Sequence, residues 1–225
     1  MPSDGKRKFA PKKALIKRKM YSRRPKRVIV NTALHPIPQR FITKMKYSEQ
    51  VTTDANGQYR FNLNSIYDPN STGTGHQPYG FDTLATLYNR YRVISCGWRI
   101  QVNWASNGTA QPTLVGAIPA NEALTFLSIA ELRENPRAKY IVQNYGGVTY
   151  TLNGKSYIPS LVGRNKAQYM ADDRYQALMT TSPNELAILN VVTAPNGSDS
   201  PAAATIQVLL EYTVEFFDIK HLAQS

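Results

Sequence analysis

The side chains best suited to chemistry lie in four runs, GKRK, PKK, KRK and SRRPKR, all within the first 27 positions. They supply Lys6, Arg7, Lys8, Lys12, Lys13, Lys17, Arg18, Lys19, Arg23, Arg24, Lys26 and Arg27 against one acid, Asp4. Twelve cations less one acid give this arm +11 of the chain's net +12. Cations at this density neutralise phosphates and release counterions, a chemistry without base specificity. Phe9 and Tyr21, between the runs, suit occasional stacking on bases. A nucleic acid is therefore the expected ligand, because a solvated run of this charge would repel itself. Fully extended, the arm reaches roughly 90 Å. Its split clusters also fit a nuclear import signal. A membrane-surface helix is the weaker alternative, since Ala14, Leu15 and Ile16 form its single apolar run.

Other chemistry is sparse. His35, His76 and His221 are far apart and lack Cys or carboxylate neighbours at metal-ligand spacing. Cys96 is the lone cysteine; it falls on an apolar strand face and reads as a small buried hydrophobe. Asp172 and Asp173 form an adjacent carboxylate pair, a set that hard cations favour. Capping a turn or pairing with Arg174 or a neighbouring subunit is the plainer expectation. Gly73, Gly75 and Gly80 precede a helical pattern, but the Lys-Ser/Thr of a phosphate loop is missing. No catalytic constellation, metal site or cofactor is expected, and the chain does not read as an enzyme.

The elements that must carry these residues are mostly strands. Beyond the arm the charge nearly cancels, with 15 basic and 14 acidic side chains. Val, Ile, Thr and Tyr runs alternate there with Pro, Gly and Asn clusters. Strands are expected at 40–51, 59–63, 92–105, 112–119, 139–143, 148–152, 185–194 and 204–219. The clearest is 92–105, with Ile94, Cys96, Trp98, Ile100, Val102 and Trp104 on one face and Ser95, Gly97, Arg99, Gln101 and Asn103 on the other. Asp82 is expected to cap a helix over 83–91, a second helix to span 125–135, and residues 139–152 to form a hairpin. Residues 154–178 read as mostly irregular, with room for one helical turn. Eight strands with helices only in loops define an all-β fold, a single eight-stranded jelly-roll β-sandwich behind a disordered basic arm; an immunoglobulin-like sandwich is the runner-up. The expected organisation is arm and connector at 1–36, a jelly-roll domain at 37–219 and a tail at 220–225. No apolar run approaches the ~20 residues of a membrane span. One cysteine asks for no oxidising compartment.

The stretch LNSIYDPNSTGTGHQPYGFDTLATLYNRYRV (63–93) resembles the signature region of capsid proteins of small circular, replication-protein-encoding single-stranded DNA viruses. That family carries TGHQPxGFDxLxxLYxRYxV between its second and third strands. MADDRYQAL (170–178) and EYTVEFFD (211–218) are similar too, so the resemblance spans nearly the whole of 37–219. It implies a self-assembling homo-oligomeric T=1 shell of sixty subunits, packaging of single-stranded DNA, and nuclear delivery through the arm. It places the protein in the virion, and in the host nucleus during assembly, with import machinery and an unknown host receptor as partners. Sixty such arms would bring about 660 positive charges, so a longer genome would need body residues such as Arg40, Lys44 and Lys46 facing inward. Gly75, His76, Gln77, Pro78, Gly80, Phe81 and Asp82 are the candidates for an assembly loop. A coat protein of an RNA virus, and a cellular ribosomal or chromatin-type protein, remain alternatives, because the arm does not distinguish DNA from RNA. A lectin or cupin-like enzyme would need a sugar or His/Glu metal set, which is missing.

Overall fold

The computed structural model describes residues 37–103, 112–143 and 150–221. The basic arm, His35 and Trp104 lie outside them. The described strands are β1 (Arg40–Thr52), β2 (Gln58–Asn62), β3 (Tyr88–Asn103), β4 (Thr113–Ala120), β5 (Lys139–Gln143), β6 (Leu152–Tyr157), β7 (Ala177–Leu178), β8 (Ile188–Pro195) and β9 (Thr205–Ile219). Four short helices lie in the connections: α1 (Phe81–Ala85), α2 (Ile129–Glu134), α3 (Ile158–Leu161) and α4 (Lys166–Ala171).

Two antiparallel sheets result, one ordered β1-β9-β3-β6 with β7 appended to β3, the other β2-β8-β4-β5. The chain crosses between them repeatedly, staying within one sheet only from β4 to β5 and from β6 to β7, and the last described strand, β9, enters the first sheet between β1 and β3. Eight main strands wound in this order are a jelly roll. The ladder is long where alternation is strict: β1 pairs β9 from Arg40↔Phe217 to Thr52↔Thr205. Ile206, Val208, Leu210, Tyr212, Val214 and Phe216 of β9 are all buried between the sheets, with Cys96, Trp98, Ile100 and Val102 of β3. The facing sheet contributes Val115, Ala117, Leu189 and Val191.

The two outer faces differ. That of β2-β8-β4-β5 is roofed by α2, whose Ile129 and Leu132 pack with Phe126 on Leu114, Ile118, Val192 and Ala194. Leu132 sits so close that a Cβ on Gly116 would stand 2.4 Å from its Cδ2. Among the described residues the outer face of β1-β9-β3-β6 is covered at one end, where Met170 of α4 lies against Arg92, and a groove runs over the other end.

Four expectations need correction. The helix expected over 83–91 ends at Ala85; its N-cap position is Gly80, not Asp82, and no side chain caps it. Tyr88 and Tyr91 instead begin β3 and pair with Ile219 and Phe216, because a cross-strand ladder outweighs a short isolated helix. Residues 139–152 are not a hairpin: β5 pairs β4 in one sheet and β6 pairs β3 in the other, with 144–149 outside the described residues. Nor is the region after 152 mostly irregular, since it holds β6, α3, α4, a 3₁₀ turn at Asp173–Tyr175 and β7. Finally, a register shift between Val93 and Ser95 takes Ile94 off the core face; Val93 is fully buried in its place.

Candidate nucleic-acid interface

Alternation along the strands decides what the open sheet face displays. On β1, Met45, Tyr47 and Val51 point inward, which leaves Arg40, Ile42, Lys44, Lys46 and Ser48 outside. On β9 the outward set includes Gln207, Glu211 and Glu215, on β3 Gln101, Arg99, Arg92 and Arg90, and on β6 Asn153, Lys155 and Tyr157. Seven cations, Arg40, Lys44, Lys46, Arg90, Arg92, Arg99 and Lys155, thus share this face with the acids Glu211, Glu215 and Asp218. The domain is nearly neutral, yet its charge is segregated by face.

In the open half, Lys46, Arg99, Lys139, Lys155 and Glu211 line a shallow groove of about 880 Å³. Lys44 Nζ donates to Glu211 Oε1 at 2.8 Å, and Lys46 Nζ lies 4.0 Å from its other oxygen. The Lys44 hydrogen bond holds the Glu211 carboxyl below the usual carboxylate range. Arg99 and Lys155 enter no salt bridge among the described residues. Lys139, arriving from the β5 edge, donates to the Asn153 carbonyl at 3.3 Å and stands 5.7 Å above the Trp98 ring. Exposed cations beside amide side chains and a flat surface can meet phosphates without reading bases.

At the covered end, Glu215 is enclosed by arginines. Arg40 Nη1 lies 3.4 Å from Glu215 Oε1 and Arg92 Nη1 3.9 Å from Oε2. Arg92 also donates to Gln176 Oε1 at 3.1 Å and lies 5.2 Å over the Phe217 ring; burial lowers its pKa. Arg40 keeps 71% of its side chain exposed. Of the body residues expected to face nucleic acid, then, Lys46 lines the groove, Lys44 reaches its Glu211 from beside it, and Arg40 stands at the opposite end. The strand pattern marked Arg99 as outward. Lys155 was missed because its strand was read as irregular, and Lys139 because its strand was given the wrong partner.

The candidate assembly loop is fixed from beneath. The His76 ring stacks on Tyr47 at 4.6 Å. Tyr47 Oη donates to Glu49 Oε2, which also accepts from Asn70 Nδ2 at 2.9 Å. Asn70 Oδ1 accepts from the Thr72 amide and from Tyr59 Oη, both at 3.1 Å. Gly75 passes so close that a Cβ would stand 2.6 Å from Tyr47 Oη. Gln77 reaches back to the Tyr67 carbonyl at 3.4 Å, and Phe81 is buried 6.4 Å from the Tyr67 ring. Tyr79, between Pro78 and the left-handed Gly80 (φ 82°), is 97% exposed. Asp82 is an exposed acid in the first turn of α1.

The remaining candidates have structural partners. Arg174 grips Asp172 through Nε at 3.0 Å and Nη2 at 2.7 Å, holding that carboxyl down to about 2. Asp173 accepts from Gln176. Among the described residues no group of three His, Cys, Asp or Glu is placed to hold a metal ion. Cys96 is fully buried, which pushes its thiol pKa up. No described helix is long and apolar enough to cross a membrane.

Strand order and winding define the fold class as a jelly roll, and several coat proteins of solved structure are similar to the chain. Empty turnip yellow mosaic virus matches at TM-score 0.45 and 14% identity, over 85% of this chain and 88% of that one. The semi-empty particle of Macrobrachium rosenbergii nodavirus matches at 0.48 and 10%, over 84% and 100%. The decameric BFDV capsid protein matches at 0.38 and 9%, over 79% and 99%. No family model and no curated protein matches the sequence.

Proposed function

We propose that the chain is a viral coat protein whose jelly roll builds a closed shell and whose arm, residues 1–27, condenses single-stranded nucleic acid. The observation that carries this reading is the distribution of charge: a near-neutral domain with seven of its fifteen cations, against three acids, on one sheet face, preceded by an arm of +11. A shell needs one surface that tolerates phosphate and others that tolerate neighbouring copies. Lys44, Lys46, Arg99, Lys139 and Lys155 form the first, facing inward, and the pinned loop from Gly75 to Asp82 belongs to the second. The resemblance of 63–93 to circovirus-like capsid proteins favours a sixty-subunit T=1 shell, a single-stranded DNA cargo and nuclear import through the arm.

Electron microscopy and gel filtration of the full chain, and of a variant lacking residues 2–27, test this. Both should form uniform particles, and only the full chain should carry nucleic acid, degraded by DNase rather than RNase once released. RNase sensitivity would replace the DNA cargo with RNA. A stable monomer in both cases would favour a cellular nucleic-acid-binding protein. Assembly of the full chain without nucleic acid, with a monomeric truncated variant, would overturn the division of labour.

A further inference from the structure

Among the described residues Glu211 is the one acid that lines the groove, and it stands in a row that crosses the sheet. Lys46 is its register partner on β1, Gly97 its partner on β3, and Lys155 faces Gly97 from β6. Neighbouring strands lie about 4.8 Å apart, so the row runs roughly 14 Å from Lys46 to Lys155. Its middle is bare, because a Cβ on Gly97 would meet nothing nearer than the Glu211 carbonyl oxygen at 3.8 Å. The row therefore reads cation, acid, gap, cation.

The acid divides the cations around it unequally. Lys44 and Lys46 address the two different oxygens of its carboxylate, although each lysine keeps 67% of its side chain exposed and has solvent to turn to. Arg99, two residues along β3 from Gly97 and on the same face, has no such partner among the described residues, and neither has Lys155 across the gap. A phosphate that displaces Glu211 from Lys44 or Lys46 leaves a bare carboxylate beside itself, so the exchange gains little. A phosphate on Arg99 or Lys155 meets a charge that no carboxylate has neutralised. Exposed ion pairs are weak, so Glu211 restrains its two lysines without locking them.

We infer that Glu211 sets the affinity of the groove for a polynucleotide: it withholds Lys44 and Lys46, and the phosphates meet Arg99, Lys139 and Lys155 around the Gly97 gap. The inference rests on the polynucleotide reading above and adds to it a residue that keeps the contact on the sheet face weak. Weak, sequence-independent contact lets a strand slide and re-seat, while the arm provides the firm hold. An ion pair that merely tied β1 to β9 would leave binding indifferent to Glu211.

Binding of a labelled dT homopolymer to the full chain, followed by fluorescence anisotropy over a range of salt, tests it. Lys44→Gln alone should leave the slope of log affinity against log salt as it is. Glu211→Gln should tighten binding about fivefold, the size of one exposed ion pair, and steepen the slope by about 1. On that background Lys44→Gln should reverse both changes. Glu134→Gln removes the same charge from the end of α2, over the other sheet, and should change neither. An effect of Lys44→Gln that is equal in the two backgrounds, or tightening by Glu211→Gln no greater than by Glu134→Gln, overturns the inference and leaves the polynucleotide reading standing. Failure of the homopolymer to bind at any salt overturns both.

Discussion

The indole of Trp98 fills the space that a side chain at residue 154 would need: a Cβ on Gly154 would stand 2.2 Å from Trp98 Cζ2. The two residues are register partners across β3 and β6, and Trp98 Nε1 donates to Ser156 Oγ at 3.3 Å. Gly154→Ala should therefore destabilise the domain by about 2 kcal/mol, the usual size of an overpacking penalty. Gly97→Ala is the control, because its Cβ would find Glu211 O at an ordinary 3.8 Å. Urea melts of the two variants check this; equal losses would remove the claim that the indole sets the glycine.

Loop and strand meet at a similar approach. Gly75→Ala would press on Tyr47 Oη and Asn70 Cβ, at 2.6 and 2.8 Å, and break the His76 stack. Such crowding should cost about 1–2 kcal/mol and lower particle yield, while the folded domain persists by circular dichroism. Normal particles in normal yield would show that this loop does not set subunit contacts.

Several buried tyrosines make the fold sensitive to alkali. Burial raises the hydroxyl pKa of Tyr47, Tyr169 and Tyr212, and pushes Tyr91 up to about 12 from an ordinary 10.0. The folded value exceeds the unfolded one, so this stability is fully present below pH 10 and is lost as pH rises through about 12. Tyrosinate absorbance should rise in a step that coincides with the loss of near-ultraviolet dichroism. Smooth titration of all tyrosines in a folded protein would contradict the burial.

If the groove meets phosphates, its cations will show in salt dependence. Arg99→Gln and Lys155→Gln should each reduce the slope of log affinity against log salt by about 1, with no change in base preference. Isothermal titration with a single-stranded homopolymer measures it. Slopes equal to that of the unaltered chain would place the phosphates elsewhere.

Where alternation was long, the sequence was readable: the inward set of β9 from Ile206 to Phe216 follows it without a break. Reading failed where two periods coincide. Leu84, Leu87, Tyr88 and Tyr91 satisfy a helix, and only the ladder to β9, with Tyr88 opposite Ile219, turns the last two into strand. The β5–β6 error has another source, since local turn signals at 144–147 say nothing about which sheet each flank joins. The groove was half legible: Lys46 and Arg99 stand out on β1 and β3, while Lys155 joins them only through the pairing of β6 with β3, and Lys139 reaches in from β5 of the other sheet.

The place of β9 between β1 and β3 ties closure of this sheet to the synthesis of Thr205–Ile219. Until that segment emerges, β1 has no strand partner among the described residues and β3 has only the short β6 and β7. Non-local closure of this kind is slow and leaves sticky edges exposed meanwhile. The same insertion therefore acts as a proofreading step, since a chain that stops short of Ile219 leaves the sheet split between β1 and β3.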